Sequence, residues 1–253
     1  MIATEHGIVK LGPYRTLREV SYGGSASRFC EIYVLPGQPE WRRLASAERD
    51  AGKDEFAAVA AEFADRVSLN TYSLVGTRGD VDFMLWGVSP ELERINELAA
   101  QLNQTRLGGY LETPHSYLGM TRRSPYIDDH QHEGQEGSGD AASMRIVGRR
   151  YLFMYPFWKT HDWYQLPKED RQELMNEHFV IGHKYPQVKI STAYSFGLDD
   201  PEFVLGFETD EPGTFLDLVM ELRESKARPY TLQDTPIFSC INRPLRDCLE
   251  DAG

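Results

Sequence analysis

Long apolar runs, positive charge and cysteine are all scarce in this 253-residue chain. No apolar run approaches the roughly 18–20 residues that cross a bilayer, which disfavours an integral membrane protein. Lys and Arg number 27 against 39 Asp and Glu, a formal net charge of −12. So acidic a chain is a poor releaser of phosphate counterions, which argues against a general nucleic-acid binder. Adhesion to anionic lipid is disfavoured for the same reason. A small anionic ligand is still allowed, because a few local cations outweigh distant charge beyond a screening length of about 10 Å. The three cysteines, Cys30, Cys240 and Cys248, are scattered and fit no zinc spacing. They suit a reducing compartment. The opening residues MIATEHGIVKLGPY lack the charged-then-apolar order of a secretion signal. The expected setting is the cytoplasm.

The composition is otherwise that of a globular protein, 41% hydrophobic and 26% charged. Its most informative feature is an internal repeat. The run from Tyr72 to Phe83 (YSLVGTRGDVDF) returns as Tyr194 to Phe203 (YSFGLDDPEF). A helix-like stretch follows each copy, PELERINELAAQLNQ and EPGTFLDLVMELRES. Leu102 and Leu222 each precede a tyrosine, Tyr110 and Tyr230, by eight residues. A helix candidate also precedes each copy, at about 54–66 and 168–183, with strand-like runs before those at 29–35 and 150–157. The order β-α-β-β-α-β in each half is the ferredoxin-like pattern. The expected fold is therefore α+β, with duplicated ferredoxin-like domains, antiparallel sheets and helices packed on one face. The expected boundaries are an N-terminal repeat over 1–121, a polar linker over 122–148 and a C-terminal repeat over 149–253.

Three places carry candidate chemistry. His178 sits with Leu174, Met175 and Ile181 on one apolar helix face. An iron at Nε2 and an acceptor at Nδ1 would satisfy both ring nitrogens. A hydrogen-bonded core histidine satisfies them equally, and the residues alone leave both readings open. On the preceding strand, Tyr155, Phe157 and Lys159 share a face, which suits a pocket for an anionic group with redox chemistry at the phenol. An aromatic core with a lysine at the strand end is the alternative. Within the linker, His130, His132, Glu133 and Glu136 are metal-ligand types in a Gly-rich segment that reads equally as a solvated loop.

The stretch from Tyr155 to Ile241 resembles the chlorite dismutase family, which includes the coproheme decarboxylases. The matching segments are YPFWK, the Trp163–Tyr164 pair, NEHFVIGHKYP, TAYSFGLDDPEFVLGFETDEP and LVMELRESKARPYTLQDTPIF. YSLVGTRGDVDF and LGGYLETPHSYLGMTRRS extend the likeness into the first half. The resemblance implies haem b or coproheme in the C-terminal repeat, hydrogen peroxide or a similar oxidant as partner, and a homo-oligomer, usually a pentamer. It makes His178 the proximal iron ligand and Tyr155 the tyrosine that oxidises propionates. It puts Lys159 near a propionate, with Arg149, Arg150 and Trp163 as further cofactor contacts. His130 and His132 become candidate distal bases. Chlorite-decomposing members carry a distal arginine where this chain has Ile190 or Ser191. The resemblance thus implies a peroxide-driven coproheme decarboxylase. Chlorite dismutation and a non-enzymatic haem carrier are its alternatives.

Overall fold

The computed structural model describes residues 28–122, 124–126 and 147–253. The first repeat runs β1 (Phe29–Leu35), α1 (Pro39–Arg43), α2 (Ser46–Glu62), β2 (Ser68–Ser73), β3 (Phe83–Ser89), α3 (Leu92–Gln104) and β4 (His115–Thr121). The second runs β5 (Tyr151–Lys159), α4 (His161–Gln165), α5 (Lys168–His183), β6 (Lys189–Tyr194), β7 (Phe203–Thr209), α6 (Pro212–Glu224), β8 (Thr231–Gln233) and β9 (Phe238–Asn242). A final helix, α7 (Leu245–Asp251), follows.

All strand pairings are antiparallel. The first sheet has the order β4-β1-β3-β2 and the second β9-β5-β7-β6, the ferredoxin-like order in both. The sheets join at two seams. Tyr72 and Ser73 of β2 pair with Asn242 and Ile241 of β9, and Met120 and Thr121 of β4 pair with Tyr194 and Ala193 of β6. The result is a closed eight-stranded barrel, with β8 added beside the end of β5. Closure leaves the eight strands no free sheet edge.

Strand alternation divides the side chains between two cores. Cys30, Ile32, Val34, Tyr72, Trp86, Leu152, Met154, Val204 and Phe238 fill the barrel. Outside the first sheet, Leu35, Phe56, Phe83, Leu85, Leu98 and Leu102 form a second dry core under α2 and α3. Helix α7 belongs to that core through Leu245, Cys248 and Leu249. It is pinned by Lys53, almost fully buried, whose Nζ lies 2.7 Å from Glu250. Outside the second sheet, by contrast, only Ile181, Val188, Phe207 and Leu218 are fully buried, and Phe153, Tyr155 and Leu205 are only partly covered.

The sequence helix over 168–183 coincides with α5. Helix α2 starts at Ser46, eight residues before the periodic stretch at Asp54. Its first two turns are mostly polar and carry no apolar signal.

Barrel packing is closest at Gly206. A Cβ built there would lie 2.6 Å from Cη2 of Trp86, so the indole rests against the β7 backbone. Gly206→Ala should therefore destabilise the fold by about 1–3 kcal/mol. The denaturant midpoint, with an unchanged slope, measures it.

Candidate functional site

Strand register superimposes the two repeats. Phe29 pairs with Ser89 as Tyr151 pairs with Thr209, so Tyr33 and Tyr155 occupy equivalent positions. Leu69 pairs with Gly87 as Ile190 pairs with Phe207, which makes Leu69 and Ile190 equivalent. The segments joining α2 to β2 and α5 to β6 are equally long. Counting back through them puts Ala57 where His178 stands.

The equivalent clefts are filled differently. In the first repeat, Ala57, Ala60 and Ala61 of α2 face Leu69 and Thr71, and Arg243, Pro244 and Leu245 cover them, leaving a cavity of about 260 Å³. In the second repeat, α5 packs on α6, whereas α2 packs on both α3 and α7. Ile190, the counterpart of buried Leu69, is 48% exposed. The outer face of the second sheet thus leaves Ile190 uncovered, where the first repeat buries Leu69 under α2 and the start of α7.

The electrostatics favour a neutral imidazole. Burial, aided by the nearby Lys159 cation, pushes the His178 pKa down from 6.5 to about 4. At neutral pH the ring therefore keeps a lone pair, which is what metal ligation needs. Phe179 stands edge-on to it with ring centroids 6.3 Å apart. The apolar wall, the neutral nitrogen and the neighbouring cations fit an iron porphyrin, which presents a metal, a flat apolar ring and carboxylates.

Lys159 lies at the end of β5, after a register shift between Trp158 and Lys159. Its Nζ is 4.2 Å from the centroid of the buried Trp163 ring and 5.3 Å from that of Phe157. Trp163 is held in turn against Tyr126 and Tyr230. Burial lowers the Lys159 pKa to about 8, with Glu202 opposing and Arg228 adding to the shift. The ammonium is still the main form at pH 7.

Tyr155 stacks on Phe207, with ring centroids 5.4 Å apart and planes 18° from parallel. Its pKa is raised above the ordinary phenol value, first by burial and then by Asp234, with Arg223 and Arg228 opposing. The phenol keeps its proton at neutral pH. Arg223, Arg228 and Asp234 are site residues that the sequence did not single out. Asp234 is brought there by the pairing of β8 with β5, Trp158 opposite Gln233 and Lys159 opposite Thr231, and it holds Arg223 and Arg228. No motif spacing announces that pairing.

The other sequence candidates lie apart. Arg149 Nη1 is 2.9 Å from Asp210 Oδ2, and the Arg150 backbone N–H donates to Asp210 Oδ1 at 2.9 Å. The Arg150 guanidinium lies over the Tyr151 ring at 5.1 Å. Both arginines stand beside the start of β5, roughly 17–20 Å of extended strand from Tyr155. The structure does not bring them to Tyr155. On β6, Ile190, Thr192 and Tyr194 pair with Phe207, Leu205 and Phe203, so they face the cleft. Ser191, opposite Gly206, faces the barrel interior. His130, His132, Glu133 and Glu136 lie outside the described residues.

A sequence profile described as chlorite dismutase matches residues 15–243. The chain belongs to the chlorite dismutase family. It is 29% identical over 169 residues to a coproheme decarboxylase from Mycolicibacterium smegmatis, a match covering 66% of this chain and 70% of that one. It is 30% identical over 167 residues to a coproheme decarboxylase from Staphylococcus carnosus, covering 62% and 66%. The fold also matches the structure of chlorite dismutase from Candidatus Nitrospira defluvii in complex with imidazole. That match has a TM-score of 0.80 and 23% identity, over 89% of this chain and 95% of the other.

Within this family member, the depressed His178 pKa has a consequence for stability. Between pH 6.5 and about 4 the unfolded chain binds a proton there that the folded chain refuses. Stability therefore falls as pH falls through that window. Replacing His178 with Gln should reduce the loss between pH 7 and pH 5 by on the order of 1 kcal/mol, read from denaturation midpoints of cofactor-free protein.

Proposed function

We propose that this protein is a haem-dependent oxidoreductase that uses hydrogen peroxide to decarboxylate coproheme propionates. One observation carries the reading. The Lys159 cation acts on His178, and Arg228 acts on both Lys159 and Tyr155, so the three candidates share one charged neighbourhood on the second repeat. The coproheme decarboxylases among the relatives support it.

His178 would hold the iron through its neutral nitrogen, with α5 fixing the ring against the apolar wall. Bound there, the iron porphyrin supplies the oxidising equivalents of peroxide. Tyr155, held flat on Phe207, would keep its proton on Oη until it is oxidised and then regain a hydrogen atom from a propionate, which leaves a vinyl group and carbon dioxide as a second electron passes to the oxidant, so that each vinyl formed consumes one peroxide, reduced to water. Lys159 offers an anionic ring substituent a cation backed by Trp163. Partial burial of the cleft strengthens each of these charges by excluding water.

On this reading the porphyrin is both cofactor and substrate. The exposed Leu216 and Met220 of α6 are consistent with self-association, and the family resemblance points to a pentamer. Cytoplasmic placement follows from the reduced cysteines and is part of the proposal. Among the described residues no helix is long and apolar enough to cross a membrane.

Purified protein incubated with iron coproporphyrin and peroxide should release carbon dioxide from the porphyrin, seen by mass spectrometry. Tyr155→Phe should keep porphyrin binding and lose at least about 100-fold in rate. His178→Ala should lose the Soret signature of a ligated haem. An unchanged porphyrin mass in the wild type would sink the reading.

Chlorite should be a poor substrate. β6 presents Ile190, Thr192 and Tyr194 to the cleft, and none is a cation able to stabilise an anionic oxidant and its leaving group. An oxygen electrode should register little release from chlorite.

A further inference from the structure

Asp234 holds two cations at once. Its Oδ2 accepts from Arg228 Nη1 at 2.8 Å and lies 2.8 Å from Arg223 Nη2. The aspartate side chain is only 16% exposed, against 39% and 33% for the two arginines. Arg223 comes from the last turn of α6 and Arg228 from the 3-10 turn that follows. Asp234 itself follows β8, which is hydrogen-bonded to the end of β5. Three separate segments therefore converge on one carboxylate oxygen, and the charges of all three groups reach Tyr155.

The cluster carries two positive charges and one negative. A guanidinium has five donors in a fixed fork. Binding to Oδ2 leaves most donors of each arginine free and holds the two planes in place. Without that anchor each arginine side chain would recover rotamer freedom worth as much as a hydrogen bond.

We infer that Asp234 is a positioning residue. It fixes Arg223 and Arg228 as one receptor that seats a carboxylate of the porphyrin edge beside Tyr155, and so makes the site prefer a four-carboxylate ring to a two-carboxylate one. This rests on the functional reading above and names what in that site selects the ring. It also supplies a direction to the reaction. Each decarboxylation removes an anion that the cations held, so the product is held less tightly than the substrate.

The test uses metal-free porphyrins, whose binding is read by fluorescence without turnover. Coproporphyrin carries four carboxylates and protoporphyrin two. Wild type should bind the first more tightly. Asp234→Ala should weaken coproporphyrin binding by about tenfold and protoporphyrin by much less, so that the preference shrinks. Asp234→Asn, which keeps an acceptor oxygen, should restore part of it. A carboxylate that merely competed with the ligand would give the opposite result, tighter coproporphyrin binding on removal. Unchanged or tighter binding in Asp234→Ala overturns the inference, with the wild-type reading intact. If Asp234→Ala does not fold, Arg223→Met and Arg228→Met carry the test. Each should weaken coproporphyrin more than protoporphyrin, and equal loss for both rings overturns the inference. Wild type that binds no porphyrin overturns both the inference and the functional reading.

Discussion

The two sheets meet along short seams, Tyr72 and Ser73 against Asn242 and Ile241 on one side, Met120 and Thr121 against Tyr194 and Ala193 on the other. Those few backbone pairings close the barrel and determine what every other surface can do. Closure uses the inner face of both sheets for one shared core, which Trp86, Tyr72, Met154 and Phe238 fill. Each repeat is left with a single outer face and a pair of long helices to cover it. A large ligand has no room inside the barrel, so it must be housed between a helix pair and a sheet.

The repeats solve the covering problem differently. The first uses small side chains on α2 and borrows α7 from the far end of the chain, locked by Lys53 and Glu250. The second replaces an alanine position with His178 and leaves Ile190 in contact with solvent. Burying such a side chain is worth about 1.5–3 kcal/mol, so leaving it open forfeits stability that a bound ring can return. On the proposed function, duplication provides both a scaffold and a site. One copy is packed for stability, and the other is left incomplete.

Much of this was legible in the sequence. The repeat, both strand-helix-strand orders and the bounds of α5 follow from apolar periodicity and shared turns. Ser46–Lys53 has few apolar residues to announce the start of α2, and its buried Lys53 pairs with Glu250 of α7, 197 positions away in the chain. Closure itself was not legible, since each seam engages only two residues of a strand and leaves no pattern. The same holds for Asp234 and its arginines, which meet Tyr155 only through a three-residue strand. The resemblance puts Arg149 and Arg150 among the cofactor contacts, but both engage Asp210 beside the start of β5, well before the strand reaches Tyr155.

The contact between Gly206 and the Trp86 indole makes the barrel core and the cleft share a wall one peptide thick. Trp86 is fully sealed from water, so its emission should be blue-shifted and insensitive to soluble quenchers. A porphyrin lying on the other side of β7 would nonetheless drain its excited state by energy transfer. One of the chain's four tryptophans would thereby report on occupancy of the proposed site from a core that solvent does not reach.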